Sequence, residues 1–305
     1  MADLADLERE LEKNGINFLR GERLSSRTTM GTGGGADVFA LPSSVVELIK
    51  TAEITQNQGV KSFVLGGGSN VLAGDGGYRG CVISTRGVNE IYIERESGNE
   101  VFVRAFAGAA LGTFTAYCIR AGLGGAEFLS GIPGTVGGAA VMNAGCFGRR
   151  AGDIISSVFA WNGGRLNAYR AEECSFGYRS SAFQRGAPLV ISVLFRLKRE
   201  PAEDIIKRTA TFRALRESKQ PAGRSMGSVF RNGETPAGKA IEACGLKGAR
   251  VGGAYVSEKH ANFIINDGSA SSADVYDLIK TIKAVVRERT GITLTEEIKY
   301  AGEFG

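Results

Sequence analysis

Glycine dominates one stretch of this chain, Gly131–Gly145, which reads GIPGTVGGAAVMNAG and holds five glycines, one proline and no charged residue. Such a segment offers a ligand mainly its main chain, because glycine permits positive φ and close backbone approach. Successive main-chain N–H groups form a concave surface that binds anions such as phosphate. The segment predicts a pyrophosphate-binding loop for a large cofactor. A tight internal packing turn is the alternative that this segment alone leaves open.

Two further glycine clusters adjoin strand-like runs. Lys61–Leu72 is an apolar run that leads into three glycines, Ser69 and Asn70, and Thr28–Pro42 is a glycine cluster followed by alternating apolar residues. The chain has 44 glycines among 305 residues, but only 6 prolines and no three-residue period. A collagen-like or low-complexity chain is therefore excluded. The glycines mark the ends of strands, where backbone geometry matters most.

The two common nucleotide-binding fingerprints are not fulfilled. Gly31–Ala36 matches G-x-G-x-x-G/A, a pattern that needs a strand before it and a helix after it. Here a polar run, SSRTTM, precedes it and a strand-like alternation, ADVFAL, follows it. The chain contains no G-x-x-x-x-G-K-[ST] pattern, which disfavours a P-loop. The glycines therefore indicate phosphate binding of another kind.

The composition is typical of a globular protein, with 43% hydrophobic and 23% charged residues. The length suggests two domains, or one domain with an appendage. The N-terminal run MADLADLERELEK is acidic and amphipathic, unlike a signal peptide. No stretch of about 18 apolar residues is present. We therefore expect a soluble, cytoplasmic protein without membrane attachment.

Metal-binding and disulfide patterns are absent from the sequence. The five cysteines are scattered and form no C-x-x-C pair, and His260 is the single histidine. This distribution predicts reduced thiols that behave mostly as small hydrophobic residues, and no zinc site. Proton transfer is then expected from side chains other than histidine.

Basic residues concentrate in Lys207–Arg231, where seven of them accompany a single acid, Glu217. Such a run is typical of a solvated helix face. The alternative is a binding site for a small phosphorylated or carboxylated ligand. Nucleic acid is disfavoured as a partner because aromatic residues are not regularly interleaved with the basic ones and the run has no known reading motif.

The first two thirds of the chain predict an α+β region. Helices are expected at about Asp3–Lys13, after the capping box Ser44-x-x-Glu47, and over Leu111–Gly122. Strands are expected at Asp37–Leu41, Lys61–Leu65, Cys81–Thr85, Val101–Ala107, Ile154–Trp161 and Leu189–Leu197.

The composition changes near residue 200, where we place a domain boundary. A charged helix is predicted at about Pro201–Glu217. Thr235 is expected to cap the next helix, with Pro236 at its first position and Gly245 at its end. The remaining elements are predicted as a strand at Asn262–Ile265, a helix at Ser271–Thr290 and a last strand at Ile292–Tyr300.

Three motifs follow the glycine loops: SFGYRSSAF at Ser175–Phe183, GSVFRN at Gly227–Asn232 and LTEEIKY at Leu294–Tyr300. With these and the long segment Pro236–Asn266, the chain resembles the UDP-N-acetylenolpyruvoylglucosamine reductases, FAD enzymes that complete UDP-N-acetylmuramate in bacterial cell-wall synthesis. The resemblance extends from about Arg20 to the C-terminus. The chain has no room for the long insertion found in one branch of that family, so it resembles the shorter branch.

The resemblance implies an α+β fold of the vanillyl-alcohol-oxidase-like (PCMH-type) class, which binds FAD without a Rossmann motif. Residues 1–200 would form the FAD-binding domain, with two subdomains divided near 80–85, and residues 201–305 a smaller α+β substrate-binding domain. Non-covalent FAD, NADPH as co-substrate and UDP-N-acetylglucosamine enolpyruvate as substrate are implied as well. We expect a monomer.

The resemblance also implies roles for individual residues. Arg179 would lie near the enolpyruvyl carboxylate, Ser228 would donate a proton, and Glu297 would be the third catalytic residue. The residues expected to contact the substrate are Tyr178, Lys219, Asn232 and His260. Those expected to hold FAD are Gly66, Gly67, Gly68, Ser69, Asn70, Val71, Leu72, Gly131, Ile132, Pro133, Gly134, Thr135, Gly137, Gly138, Ala139, Asn143 and Gly145.

The last motif gives two conflicting predictions for its acids. In a regular strand, side chains alternate between faces, so Glu296 would share the apolar face with Leu294 and Ile298 and be the buried acid. The family motif instead points to Glu297. We follow the motif and keep Glu296 as the alternative.

Two other functions remain possible from the sequence. A flavoprotein oxidase of the same fold would lack the set Arg179, Ser228 and Glu297 and would react quickly with oxygen. A nucleotide-binding protein without activity would keep the glycine loops but show no turnover. The presence of all three motifs favours the reductase.

Overall fold

A computed structural model describes residues 4–184 and 188–304. Seven helices are present among the described residues: α1 (Leu4–Lys13), α2 (Val45–Asn57), α3 (Leu111–Arg120), α4 (Val136–Met142), α5 (Ala202–Lys219), α6 (Ala237–Ala243) and α7 (Ser272–Thr290). Asp3, where the first helix was expected to begin, lies outside the described residues.

Strands account for most of the remaining regular structure. They are β1 (Phe18–Arg23), β2 (Gly35–Ala40), β3 (Ser62–Leu65), β4 (Val71–Ala73), β5 (Tyr78–Ser84), β6 (Ile91–Ser97), β7 (Glu100–Phe106), β8 (Leu123–Gly124), β9 (Gly145–Cys146), β10 (Arg149–Arg150), β11 (Ile155–Asn162), β12 (Arg165–Arg170), β13 (Leu189–Arg199), β14 (Arg250–Val251), β15 (Ala254–Val256), β16 (Ile264–Asn266) and β17 (Lys299–Ala301).

The chain forms two compact units, each built from three segments. Unit 1 comprises Met1–Leu19, Ala40–Gly67 and Val82–Arg216, and unit 2 comprises Arg20–Phe39, Gly68–Cys81 and Glu217–Gly305. The chain therefore passes from one unit to the other several times, whereas the predicted domains were two continuous segments divided near residue 200. That functional division stays a prediction.

An antiparallel sheet with strand order β12-β11-β13-β7-β6 forms the centre of unit 1, and β8 pairs with the end of β13. Alternating apolar residues in β7 and a nearly continuous apolar run in β13 place one large core against α3 and α4. Phe114 of α3 and Phe195 of β13 lie in contact in this core, with ring centroids 4.4 Å apart. The core holds α4, the helix that the longest glycine segment forms.

Unit 2 has its own core, formed by α6, α7 and the small sheet β14-β15-β16. The helix α7 begins where its sequence predicted, because Ser271 and Asp274 form a reciprocal capping box. The carboxylate of Asp75 also accepts hydrogen bonds from the main-chain N–H groups of Ser272 and Ala273. Strand β17 pairs in parallel with β4.

Three predictions of local structure were wrong. Of the expected strand Ile292–Tyr300, only Lys299 and Tyr300 lie in a strand, Lys299–Ala301; before it, Glu296 forms only an isolated bridge, with Phe230. The N-cap of α6 is Pro236 rather than Thr235. The strand expected at Asn262–Ile265 begins two residues later, at Ile264.

The local structure of Gly31–Ala36 differs from the strand–loop–helix context that a Rossmann fingerprint needs. This segment leads into β2 and not into a helix. Its glycines serve packing, since a Cβ on Gly34 would lie 2.2 Å from the carbonyl oxygen of Asp75.

Candidate active site

The two glycine loops predicted to bind FAD meet in unit 1. A Cβ on Gly67 would lie 2.6 Å from the Cα atom of Gly134, and one on Gly66 would lie 2.4 Å from the Oγ1 atom of Thr135. A side chain at Gly67 would require the backbone to move, and one at Gly66 would require the Thr135 side chain to move. Close packing of main chain on main chain explains why both loops are so rich in glycine.

The second half of the first loop lies in unit 2. Gly68 has a positive φ of 65°, and a Cβ there would lie 2.2 Å from the carbonyl oxygen of Arg27. Leu72 is fully buried in the core of this unit, so its side chain serves the core and only its main chain remains for a cofactor. Asn70 donates from its side-chain amide to the carbonyl oxygen of Glu297 at 3.3 Å.

Arg179 occupies a tight turn in unit 1. Its φ is 51°, a left-handed conformation that is uncommon for residues other than glycine. Gly177 and Ser180 close the turn by exchanging main-chain hydrogen bonds of 3.1 and 3.4 Å. The guanidinium lies 5.7 Å from the ring centroid of Tyr178, whose side chain is largely exposed. The motif SFGYR therefore specifies a turn that presents an arginine and a tyrosine side by side.

Three side-chain contacts attach this turn to the glycine helix α4. Asn143, which ends α4 with a left-handed φ of 42°, donates to the carbonyl oxygen of Gly177 at 2.8 Å. Ser181 donates to the carbonyl oxygen of Val141 at 2.7 Å. Gln184 donates to that same oxygen at 3.1 Å and to the carbonyl of Arg179 at 2.9 Å. The structure thus brings the predicted carboxylate-binding arginine and the predicted FAD loop together.

Asn143 was expected to contact FAD, yet the oxygen and the nitrogen of its side-chain amide both form hydrogen bonds with main-chain groups of the protein. The oxygen accepts from the N–H of Gly152 at 2.8 Å, while the nitrogen donates to Gly177. Asn143 is almost completely buried. A contact with FAD would therefore come from its main chain.

Arg216 lies against the loop Gly131–Gly145, although the sequence did not single it out. It lies on α5, where its Nη2 atom contacts the sulfur of Cys146 at 3.2 Å. A Cβ on Gly131 would come within 3.1 Å of its Cδ atom. Burial lowers the pKa of Arg216, and the nearby charge of Arg179 lowers it further. In the sequence, Arg216 could be recognised only as one member of the basic run Lys207–Arg231.

The rest of that basic run is mostly solvated, as expected for an exposed helix face. Arg213 and Lys219 are exposed. Arg208 forms ion pairs with Glu127 and Glu200, contacts that raise its pKa. Arg216 is the member that lies against the glycine loop.

Ser228 and Glu297 lie on neighbouring chain segments of unit 2. The residue after Ser228, Val229, accepts a hydrogen bond at its carbonyl from the N–H of Glu297 at 2.8 Å. Ser228 itself forms an isolated antiparallel bridge with Phe263, and Phe230 forms one with Glu296. The segment that carries Ser228 is therefore held on both of its edges.

The structure separates the two candidate acids of the last motif. Glu297 is 7% exposed, whereas Glu296 is less buried and pairs with Lys283 at 2.7 Å. Strand alternation predicted Glu296 to be the buried acid, which is wrong because this segment is not a regular strand. Burial of Glu297 agrees with the choice made from the motif, and its catalytic role stays a prediction.

The predicted substrate-binding residues of unit 2 lie at the end of a helix and in turns. Lys219 is the last residue of α5 and is exposed. Asn232 accepts a hydrogen bond at Oδ1 from the N–H of Ala237 at 3.0 Å, so it also supports the start of α6. His260 is half-buried, and its Nδ1 accepts from the N–H of Asn262 at 3.2 Å. Burial lowers the pKa of His260.

Residues 4–184 and 188–304 contain no group of three or more His, Cys, Asp or Glu side chains that could hold a metal ion. In the same part of the chain, no helix is long and apolar enough to cross a membrane.

Comparison with known proteins identifies the family. A family model for the C-terminal domain of UDP-N-acetylenolpyruvoylglucosamine reductase matches residues 219–301, and an FAD binding domain model matches residues 36–162. The reductase of Syntrophus aciditrophicus is 39% identical over 93% of this chain and 92% of its own length. That of Moorella thermoacetica is 41% identical over 99% of both. The chain belongs to the UDP-N-acetylenolpyruvoylglucosamine reductase family.

Solved structures agree with this assignment. The family member from Thermus caldophilus superposes with a TM-score of 0.79 at 33% identity, over 94% of this chain and 98% of that one. A berberine bridge enzyme variant, at 16% identity and a TM-score of 0.50 over 65% of this chain, shows the fold alone. The predicted α+β fold of the vanillyl-alcohol-oxidase-like (PCMH-type) class is thereby confirmed.

Proposed function

We propose that Arg179, Ser228 and Glu297 carry out the family's reaction in this chain. The main support for this proposal is the position of Ser228 and Glu297, which lie on hydrogen-bonded segments, with Glu297 buried. Arg179, on its left-handed turn, is the proposed partner of the substrate carboxylate.

The reaction is the reduction of UDP-N-acetylglucosamine enolpyruvate to UDP-N-acetylmuramate with NADPH, a step of bacterial peptidoglycan precursor synthesis. The chain is an FAD-dependent oxidoreductase. When bound, FAD supplies the two-electron chemistry that links NADPH oxidation to reduction of the enol ether double bond. The protein must therefore hold the flavin, bind the substrate carboxylate and provide a proton.

The residues of unit 1 suit a large anionic cofactor such as FAD. Main chain without side chains forms the contact between Gly67 and Gly134, and the missing Cβ of Gly131 leaves space beside Arg216. A half-buried guanidinium next to glycine main chain is suited to a diphosphate or an electron-rich ring system. We expect Gly66, Gly67 and the loop Gly131–Gly145 to hold FAD, together with Arg216.

Arg179 is suited to the charge that develops during the reaction. Hydride addition at the terminal carbon of the double bond leaves negative charge on the neighbouring carbon and on its carboxylate. A guanidinium presents a planar fork to a carboxylate and stays protonated. Stabilising developing charge contributes about 3 kcal/mol for one well-placed donor. The tight turn and its contacts with α4 hold Arg179 in place for this role.

Ser228 is the proposed proton donor to the carbon next to the carboxylate. A serine hydroxyl is a weak acid, so nearby charge must help it to release a proton. Arg231 lies three residues further along the same segment and its N–H is bound to the carbonyl of Thr295 at 2.8 Å. We propose that Arg231 and Lys219 supply positive charge for this step, and that Glu297 is the third catalytic residue.

The UDP portion of the substrate requires its own contacts. Lys219 is the proposed partner of the UDP group, since an exposed ammonium binds phosphate as a point charge. Tyr178, Asn232 and His260 are proposed as further substrate contacts. A monomer remains the prediction for the oligomeric state.

An anaerobic absorption experiment tests the proposed function. The purified protein should show a flavin spectrum that bleaches with NADPH and returns when the UDP-enolpyruvyl sugar is added. Return only with oxygen would favour an oxidase, and a colourless protein that cannot take up FAD would exclude a flavoenzyme. In Ser228→Ala, bleaching by NADPH should stay near normal while reoxidation by the sugar becomes much slower. Equal loss in both half-reactions would contradict the proton-donor role.

A further inference from the structure

Asn262 makes an unusual set of contacts with the segment that carries Ser228. Its side-chain Oδ1 accepts from the N–H of Phe230 at 2.9 Å, and its Nδ2 donates to the carbonyl of Phe230 at 2.8 Å. Its own carbonyl accepts from the N–H of Val229 at 2.9 Å. The residue is 3% exposed. A single asparagine therefore satisfies three main-chain groups on two consecutive residues, Val229 and Phe230.

The side chain takes the place of a neighbouring strand. Main-chain pairing along this edge is confined to the bridge between Ser228 and Phe263. The Asn262 amide extends it by one residue, because an amide group offers the same donor and acceptor as a peptide unit. The main chain from Ser228 to Phe230 is thus fixed on the side that faces Asn262.

The opposite edge of the same segment binds Glu297. The carbonyl of Val229 accepts from the N–H of Glu297, and the N–H of Arg231 donates to the carbonyl of Thr295, both at 2.8 Å. Any movement of Val229 would therefore change the position of Glu297 as well as that of Ser228.

We infer that Asn262 is a positioning residue that holds Ser228 and Glu297 in register with each other. This inference rests on the proposed function, in which these two side chains act on the substrate. Asn262 acts through the main chain of Val229 and Phe230. Its loss should slow the proton-dependent half-reaction and leave flavin reduction by NADPH intact.

Asn266 provides a matched control within unit 2. It is also buried, at 4% exposure, and its Nδ2 donates to the carbonyl of Met30 at 2.9 Å. Its Oδ1 accepts from the N–H groups of Gly268 and Ala270. Asn266→Leu removes three side-chain hydrogen bonds, one more than the two that Asn262→Leu removes, and none of the three holds Val229 or Phe230.

The first experiment compares the two half-reactions of the FAD-loaded enzyme by anaerobic stopped flow. Asn262→Leu should reduce the rate of reoxidation at saturating UDP-enolpyruvyl sugar by about tenfold or more. The sugar concentration that gives half of the maximal rate, and the rate of flavin reduction by NADPH, should both stay within about twofold of the parent enzyme. Asn266→Leu should lower the two rates equally or not at all. Equal losses in both half-reactions for Asn262→Leu, or no loss, would overturn the inference.

A second variant, Asn262→Asp, avoids a change of shape and gives a pH signature. An ionised carboxylate still accepts from the N–H of Phe230 but cannot donate to its carbonyl, whereas a protonated carboxyl does both. Reoxidation by this variant, relative to the parent enzyme at the same pH, should recover as the pH is lowered. A ratio that is constant with pH would contradict the inference, including in the case that Asn262→Leu does not fold.

The double variant separates this inference from the proposed function. If Asn262 acts through Ser228 and Glu297, adding Asn262→Leu to Ser228→Ala should slow reoxidation by a smaller factor than Asn262→Leu slows it in the parent enzyme, since residues acting as one unit are non-additive. Additive losses would overturn the inference. If Ser228→Ala shows no selective effect on reoxidation, the proposed function fails whatever Asn262 does.

Discussion

The side-chain amide of Gln184 donates a hydrogen bond of 2.9 Å to the main-chain carbonyl of Arg179. The same nitrogen lies 3.1 Å from the carbonyl of Val141, at the end of the glycine helix. Arg179 has a left-handed φ of 51°, which costs on the order of 1 kcal/mol for a residue with a side chain. Gln184 therefore stabilises the turn at the residue where its backbone is strained.

Replacing Gln184 by leucine should loosen this turn. The two carbonyls lose their shared donor, so we expect a stability loss of about 1 kcal/mol. Reoxidation by the UDP-enolpyruvyl sugar should slow by about tenfold because Arg179 is less well placed. Stopped-flow measurement of both half-reactions checks this. Gln56→Leu, on the exposed side of α2, is the control and should change neither rate; an unaltered reoxidation rate in Gln184→Leu would show that the turn holds itself.

Gly67→Ala should disrupt the contact between the two glycine loops. The added Cβ would lie 2.6 Å from Gly134 Cα, so main chain must move on one side or the other. Overpacking of this kind destabilises a protein by about 1–3 kcal/mol. We expect a weakened flavin affinity, measured by fluorescence titration of apoprotein with FAD.

Gly112→Ala is the matched control for this change. Gly112 lies in α3, where a Cβ would have no atom within 4 Å. Alanine there should stabilise the helix by up to about 1 kcal/mol and leave flavin affinity unchanged. Equal flavin affinity in Gly67→Ala and the parent chain would show that the loops do not need to touch.

Elements with strong local signals could be predicted from the sequence. The helix α7 was expected at Ser271–Thr290 and lies at Ser272–Thr290, because Ser271 and Asp274 cap it and its apolar spacing is regular. The motif SFGYRSSAF could be recognised as a unit, although the left-handed φ of 51° at Arg179 could not. Helix caps, apolar spacing and short motifs of this kind can be recognised without knowledge of the fold.

Contacts between distant segments could not be predicted. Asn143 reaches Gly177, 34 residues away, and Asn262 reaches Phe230, 32 residues away. Asn262 was expected only to begin a strand and Asn143 only to hold FAD, and neither local sequence indicates the distant main-chain partner. The last strand was misjudged for the same reason: the burial of Glu297 comes from pairing with Val229, which no periodicity within Leu294–Tyr300 reveals.

Arg216→Met should change the reactivity of Cys146. Burial raises the pKa of this thiol, and the charge of Arg216 acts in the opposite direction. Removing that charge should raise the pKa further, so that alkylation by a maleimide at a fixed pH of about 8 becomes several-fold slower, since the thiolate is the nucleophile. Arg213→Met, on the exposed side of α5, is the control. A faster reaction in Arg216→Met would mean that the arginine shields the thiol rather than lowering its pKa.

The stability of the protein should depend on pH through its only histidine. Burial lowers the pKa of His260 in the folded state, whereas in the unfolded chain it stays near the ordinary value of about 6.5. Between these two pKa values the unfolded chain binds more protons than the folded one, so the free energy of unfolding falls as the pH is lowered below about 6.5. Above that pH the contribution is fully present. Urea unfolding at a series of pH values measures this slope.

His260→Asn isolates the effect, because asparagine offers an oxygen to the N–H of Asn262 in place of Nδ1 but does not titrate. Carboxylates dominate the pH dependence at lower pH, so the comparison belongs between about pH 5.5 and 7.5. The variant should lose the part of the slope that His260 contributes, and the NMR titration of the sole imidazole in the parent protein should show a pKa below the ordinary value. An unchanged slope together with a pKa at or above that value would mean that the folded protein accommodates the imidazolium as readily as water does.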